Sequence, residues 1–282
     1  IFAIVSCSVK ELSVSEPQET HKVHFIVNSS SPETKTYIDC VEVDGENLYE
    51  VGWHSSDENL AVFISEINGS TSSVEYTFVN TKPKGTEASF EGDADIPAEG
   101  KGEFYSFYPA SAFVKGYADG TVGVNIGEID SESKLYVQSP IAGSFDRNSD
   151  ILIGKKCAYE SDGDLVVIDD MYFTRPLSIL KVNLLGDYAE GDVVKSFKLT
   201  APEGTVLGGR AKLNLTNYTI SDWTVKNNYV YAEIDNTDGD ITINTGNNAV
   251  YLFVNPVTIA KMADEENANT VVFDIETDKN TI

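Results

Sequence analysis

The sequence predicts an all-β fold of two β-sandwiches in tandem. Apolar residues recur at every second position through most of the chain, turn-rich stretches separate these runs at sandwich-like spacing, and no long helical period competes. The length, 282 residues, is more than one sandwich usually needs and divides into two domains of roughly 130 residues. Hydrophobic residues make up 41%, with 14 Tyr and 13 Phe, which is apolar mass enough for two cores.

The first element is not a strand. Ile4-Val5-Ser6-Cys7 reads as a lipid-attachment signature at the end of an apolar leader, so Cys7 is expected to carry acyl chains that hold the protein on a membrane surface. The alternative is a chance cysteine after a short strand. Ser8 to Lys22 is polar, with Glu11, Glu16, Pro17, Gln18 and Glu19, and reads as a tether. No later run of about 18 apolar residues suggests a membrane-spanning helix.

Strands follow by their period of two. The first series is residues 23–27, 37–43, 60–64, 74–79, 104–108, 122–126 and 135–138, broken at turns such as Asn68-Gly69-Ser70 and Lys84-Gly85. The second is 179–185, 194–199, 211–215, 230–234, 241–243, 250–254 and 271–275, where Val271, Phe273 and Ile275 share one face. One or two helical turns are expected within 259–267. The break between the series falls near Ser161-Asp162-Gly163-Asp164. The expected division is therefore leader, lipobox and tether over 1–22, a first sandwich over 23–165 and a second over 166–282.

Charge narrows the function. The formal net charge is −25, from 45 acidic and 20 basic residues, which repels phosphate backbones and argues against nucleic-acid binding. Sequence motifs for catalysis or for phosphate, dinucleotide or zinc binding (GxSxG, HExxH, GxGxxG, a Walker loop, CxxC) are absent. His21, His24 and His54 are the only histidines, and His24, between Val23 and Phe25, reads as the wet side of a strand rather than a ligand. Neither enzyme activity nor a metal or cofactor is expected. A glycan-degrading enzyme would need two carboxylates across a cleft, a geometry that abundant Asp and Glu leave open.

Other clusters have plain structural readings. Asp162-Gly163-Asp164 and Asp238-Gly239-Asp240 suit tight turns better than calcium loops. Trp53 and Phe104, Tyr105, Phe107 and Tyr108 are set for core packing ahead of sugar stacking. Cys40 and Cys157 are either buried free thiols or a pair. The sequons at Asn28, Asn68, Asn214 and Asn217 mark loops at most.

A set of local strings carries a resemblance. Gly52-Trp53, Ala88-Ser89-Phe90-Glu91-Gly92, Tyr105-Ser106-Phe107-Tyr108-Pro109, Gln138 with Ser144-Phe145-Asp146 and Asp150-Ile151-Leu152, then Phe173-Thr174-Arg175-Pro176-Leu177-Ser178 leading into Leu180-Lys181-Val182, resemble in order and spacing the fimbrillin family of Bacteroidetes. The resemblance runs from Cys7 to about Ile275.

What the resemblance implies is two transthyretin-like sandwiches of Greek-key type, exported as an outer-membrane lipoprotein and assembled into type V pili by donor-strand exchange. Its implied partners are other fimbrial subunits, the outer membrane through the lipid anchor, and a host or bacterial surface ligand. By the same resemblance Val23, Phe25 and Val27 form a plug strand over an acceptor groove, and Lys35, in the loop from Asn28 to Thr36, stands at the site of proteolytic maturation. Lys35 also reads as an ordinary loop lysine. Family subunits cut by an arginine-specific protease carry Arg there, whereas here the first Arg is Arg147. The chain stops at Thr281-Ile282 soon after a strand, so a truncated C-terminus is expected. The competing reading is a permanently tethered surface lipoprotein that binds glycan or host protein and never polymerises.

Overall fold

The structure, a computed structural model, describes residues 20–29, 37–43, 46–53, 58–65, 74–82, 87–118, 120–187, 189–237, 239–246, 248–256 and 271–281. Cys7, most of the expected tether, Lys35 and the turns expected within 259–267 lie outside the described residues.

In chain order the strands begin with β1 (Thr20–Ser29), β2 (Tyr37–Val43), β3 (Glu46–Gly52), β4 (Asn59–Ser65), β5 (Tyr76–Asn80) and β6 (Ala88–Pro97). Next come β7 (Lys101–Tyr108), β8 (Phe113–Ala118), β9 (Thr121–Ile126), β10 (Glu128–Ile129) and β11 (Tyr136–Gln138). Then follow β12 (Leu152–Gly154), β13 (Cys157–Glu160), β14 (Leu165–Ile168), β15 (Phe173–Thr174) and β16 (Ser178–Asn183). The last are β17 (Val194–Thr200), β18 (Gly208–Asn214), β19 (Thr219–Asn227), β20 (Tyr229–Glu233), β21 (Ala249–Val254) and β22 (Val272–Thr277).

These strands form an all-β sandwich. The largest sheet runs β14-β1-β6-β5-β4-β7-β12-β15, with β13 beside β7. A second runs β10-β11-β20-β17-β22, a third β19-β18-β9-β8, and β16 pairs with β21. Period two builds the layers between them. Leu60, Val62 and Ile64 of β4 point into one core with Phe25, Phe78, Phe90 and Phe104, while Ala61 and Phe63 point the other way, to Phe107, Val124, Leu213 and Phe253. Strand β21 repeats the device: Tyr251 and Phe253 face that second core, and Val250, Leu252 and Val254 face a third with Phe197, Val230 and Ala232. Both strands are apolar on both faces because both faces are covered.

Several strands escaped the sequence reading. Strand β6 was hidden by Glu91-Gly92-Asp93, which reads as a turn, and β10, β12 and β15 are too short for alternation to register. Strand β19 is mostly polar and half exposed. The run 241–243 expected as a strand is held by a single bridge, Val193 to Thr242. Thr20, His21 and Lys22, expected in the tether, already belong to β1: Thr20 and Lys22 lie on its exposed outer face, and His21 is half-buried at the end of its inward row. The boundary expected near residue 165 falls beside β14, which lies in the first sheet, and ladders join β9 to β18 and β11 to β20 across that point.

Two buried polar contacts tie layers together. Gln138 uses its side-chain amide as a strand would, Nε2 donating to the Phe253 carbonyl and Oε1 accepting from the Phe253 amide, each at 2.8 Å. Arg175 donates through Nε (2.7 Å) and a terminal nitrogen (2.8 Å) to the two oxygens of Asp150. Asp150 is fully buried, and burial pushes its carboxyl upward while the guanidinium opposes that push. Arg175→Ala strands this carboxylate, and denaturant unfolding is expected to show a loss of about 3–5 kcal/mol. The Asp150→Ala, Arg175→Ala double variant should lose less than the single changes added together.

Candidate strand-exchange site

Residues 20–29 form a strand because Val23, Phe25, Ile26 and Val27 are β-branched or aromatic and apolar residues alternate with polar ones. The strand is not at an edge. It runs antiparallel to β6 along its whole length and parallel to β14 from His24 to Val27. Val23, Phe25 and Val27, the residues singled out from sequence, lie together on the inward face and are buried.

Phe25 is the centre of the seat. Its ring lies 5.6 Å from Phe78, 5.8 Å from Phe104 and 5.3 Å from Tyr159, the last edge-on. Opposite it in the ladder stands Gly92. A Cβ there would come within 2.3 Å of the Phe78 ring, so glycine is what lets that ring lie against the strand. Behind Phe25 the Tyr159 hydroxyl is buried without a hydrogen-bond partner among the described residues, and burial pushes its pKa up.

The C-terminal end of β1 is tied by side chains. Ser29 Oγ donates to the Met171 carbonyl (2.8 Å), and the Met171 amide donates to the Asn28 carbonyl (2.8 Å). Asn28 Nδ2 donates to Asp169 (2.9 Å), and Ser89 Oγ donates to Asn28 Oδ1 (2.9 Å). Sequence marked Asn28 as a sequon and as the first residue of the loop to Thr36, whereas Asn28 and Ser29 belong to β1, held there by these bonds.

The outward face is charged. Lys22 Nζ lies 3.1 Å from Asp93, and His24 Nδ1 lies 2.9 Å from Asp93 with Nε2 3.7 Å from Glu91. His24 and Lys22 beside Asp93 hold its carboxyl below the usual carboxylate range. Glu91 and Asp93 were missed as site residues; the acids recurring at a spacing of two through Glu91, Asp93 and Asp95 were the available signal, and the ladder sets Asp93 opposite His24 and Asp95 opposite Lys22.

The remaining sequence candidates fall elsewhere. Trp53 is buried against Phe90, Tyr108 and Phe173, and Phe104, Tyr105, Phe107 and Tyr108 are all buried, as core packing requires. Asp162-Gly163 forms a tight turn closed by the bridge from Asp162 to Leu165. Cys157 is a free, half-buried thiol pushed up to about 11 by burial, and the side chain of Cys40 lies outside the described part. Among the described residues no three His, Cys, Asp or Glu side chains converge to hold a metal ion. No helix among them is long and apolar enough to cross a membrane.

Strand β22 with the residue before it repeats the apolar spacing of β1, though its residues are less buried. Val271 and Ile275 pack on the third core, and Phe273 lies 5.7 Å from Phe197. A cavity of about 390 Å³ opens beside it, lined by Val182, Leu184, Leu185, Phe197, Phe273 and Ile275. Strand β22 ends its sheet, and Phe273 remains 45% exposed.

No protein-family model matches the sequence, and no curated protein matches it. Among solved structures, a candidate cell adhesion protein from Bacteroides ovatus is similar with a TM-score of 0.47 and 12% identity, over 94% of this chain and 85% of that one. A candidate adhesin from the same organism is similar with a TM-score of 0.37 and 10% identity, over 100% of this chain and 88% of that one.

Two outcomes follow from the seat. Phe25→Ala should cost about 3–5 kcal/mol in denaturant unfolding, since it empties a ring-lined site between two sheet neighbours. Because the carboxyl of Asp93 sits below its ordinary range in the fold, its contribution is present at neutral pH and lost as pH falls through that lowered value. The stability gap between the parent and Asp93→Asn should therefore be present above the ordinary carboxylate range and close as pH falls through and below it, read as unfolding midpoints at each pH.

Proposed function

We propose that this chain is a non-enzymatic subunit, or accessory subunit, of a cell-surface adhesive fibre, assembled by donor-strand exchange at β1. One observation carries the reading. Strand β1 fills an interior position in its sheet, with Val23, Phe25 and Val27 in the core. Removing it leaves a groove lined by Phe78, Phe104 and Tyr159 between the unpaired ladder edges of β6 and β14. A strand from another subunit entering that groove gains hydrogen bonds and apolar burial in one step. Repeated head to tail, such a contact does not close on itself and yields a filament.

The resemblance to fimbrillins supplies the remaining parts of the proposal: an acyl anchor at Cys7 in the outer membrane, cleavage at Lys35 to free β1, and adhesion to a host or bacterial surface. The spacing agrees with it, since Lys35 lies between β1 and β2, where a cut separates the plug from the rest of the chain.

The test begins with the full-length protein without its leader. Limited digestion with a lysine-specific protease should remove residues through Lys35, and fibres should then appear by electron microscopy. A Lys35→Gln variant should keep β1 and stay monomeric under the same digestion. Monomers that persist after loss of β1 would overturn the assembly proposal in favour of a tethered, non-polymerising lipoprotein.

A further inference from the structure

The seat of β1 is electrostatically one-sided. On the outward face of β6, Glu91, Asp93 and Asp95 stand opposite Ile26, His24 and Lys22. On the other flank, Leu165 and Val167 of β14 stand opposite His24 and Ile26, with the Asp164 carbonyl accepting the His24 amide and Asp169 bound to Asn28. In a chain of net charge −25, β1 carries Lys22, His21 and His24 and no acid between residues 20 and 29. Lys22 and His24 face this acidic rim.

A strand that replaces β1 has to satisfy both faces. Strand β22 with the residue before it satisfies one: Val271, Phe273 and Ile275 repeat the spacing of Val23, Phe25 and Val27. Its other face is Val272, Asp274 and Glu276. Laid into the seat by its inward residues, it sets Asp274 opposite Glu91 and brings Glu276 to the position of Asn28, beside Asp169. Like charges directly across a ladder repel.

On the reading that β1 is displaced by a strand from another polypeptide, we propose that the seat selects a strand with Lys, Arg or His at the outward positions of Lys22 and His24 over a strand with acids on that face, such as β22. Apolar inward residues supply affinity, and the acidic rim sets the choice of partner.

Three labelled peptides test this on the full chain: residues 20–29 as they stand, the same peptide with Lys22→Glu and His24→Glu, and residues 271–277. At low salt the first should enter the seat about tenfold better than either other. The difference should vanish in about 1 M salt, where screening acts within about 3 Å, and in the Glu91→Gln, Asp93→Asn protein. Equal entry of the charge-reversed or 271–277 peptide, or selectivity that survives Glu91→Gln, Asp93→Asn, overturns the proposal. If no peptide enters, it is the displacement reading that fails, and charge selection is decided within the intact chain by hydrogen exchange. There, β1 amides should exchange about tenfold faster with Lys22→Glu, His24→Glu than with Lys22→Gln, His24→Gln. Equal exchange in those two proteins refutes selection by the rim.

Discussion

The burial of Phe25 against Phe78, Phe104 and Tyr159 is the contact on which the first core depends. These rings come from four separate strands, so the contact fixes how β1, β5, β7 and β13 sit relative to one another. Gly92 makes the approach possible, and the ladder to β6 holds the register so that Val23 and Val27 follow Phe25 inward. A one-residue slip would send Lys22, His24 and Ile26 into the core instead. Burying the three apolar side chains contributes roughly 5–9 kcal/mol relative to leaving them in water, a large share of the stability of an ordinary domain.

How much of this the sequence discloses depends on whether a strand has one covered face or two. Strands β1, β2, β9 and β17 alternate cleanly or stand out as apolar runs, and their positions are legible from period two. The inward trio of the site was legible for that reason. What sits across from it was not. The parallel pairing of β1 with β14 joins residues about 140 positions apart and leaves no local trace. Strand β6 is masked because its glycine, needed where the Phe78 ring lies against the backbone, gives the same string as a turn. The acids of the rim carried no mark of a site in the sequence, and their role emerges once the ladder sets Asp93 and Asp95 against His24 and Lys22.

Architecture adds a consequence for the second half of the chain. The strands that cover the middle core come from both sides of residue 165, with Phe63 and Phe107 on one side and Leu213, Tyr251 and Phe253 on the other. Gln138 locks this arrangement by pairing with the backbone of β21 in place of a strand. Disturbance of β1 is thereby confined to the first core. The second core is built from the opposite faces of β4 and β7, so those strands keep a covered face even when the first is opened.

The two ends of β1 are held unequally, and that inequality sets a direction for its loss. From Thr20 to Val23 the strand pairs only with β6, whereas from His24 to Val27 it pairs on both sides. Beyond that, Asn28 and Ser29 are fastened to Asp169, Met171 and Ser89. Opening from the Thr20 end breaks one ladder at a time and first uncovers Val23, at the rim of the core; opening from the Ser29 end breaks two ladders and a cluster of side-chain bonds before any apolar residue is freed. The N-terminal end is thus the weaker one. If β1 is exchanged as proposed, an incoming strand that pairs with β6 near Ile96 and Ala94 would advance as β1 recedes, exchanging hydrogen bonds stepwise instead of waiting for the whole strand to detach. Lys22 and His24, both beside Asp93, precede Phe25 along that path, so on this proposal the acidic rim of β6 would be met at the start of the exchange, before Phe25 had left its site.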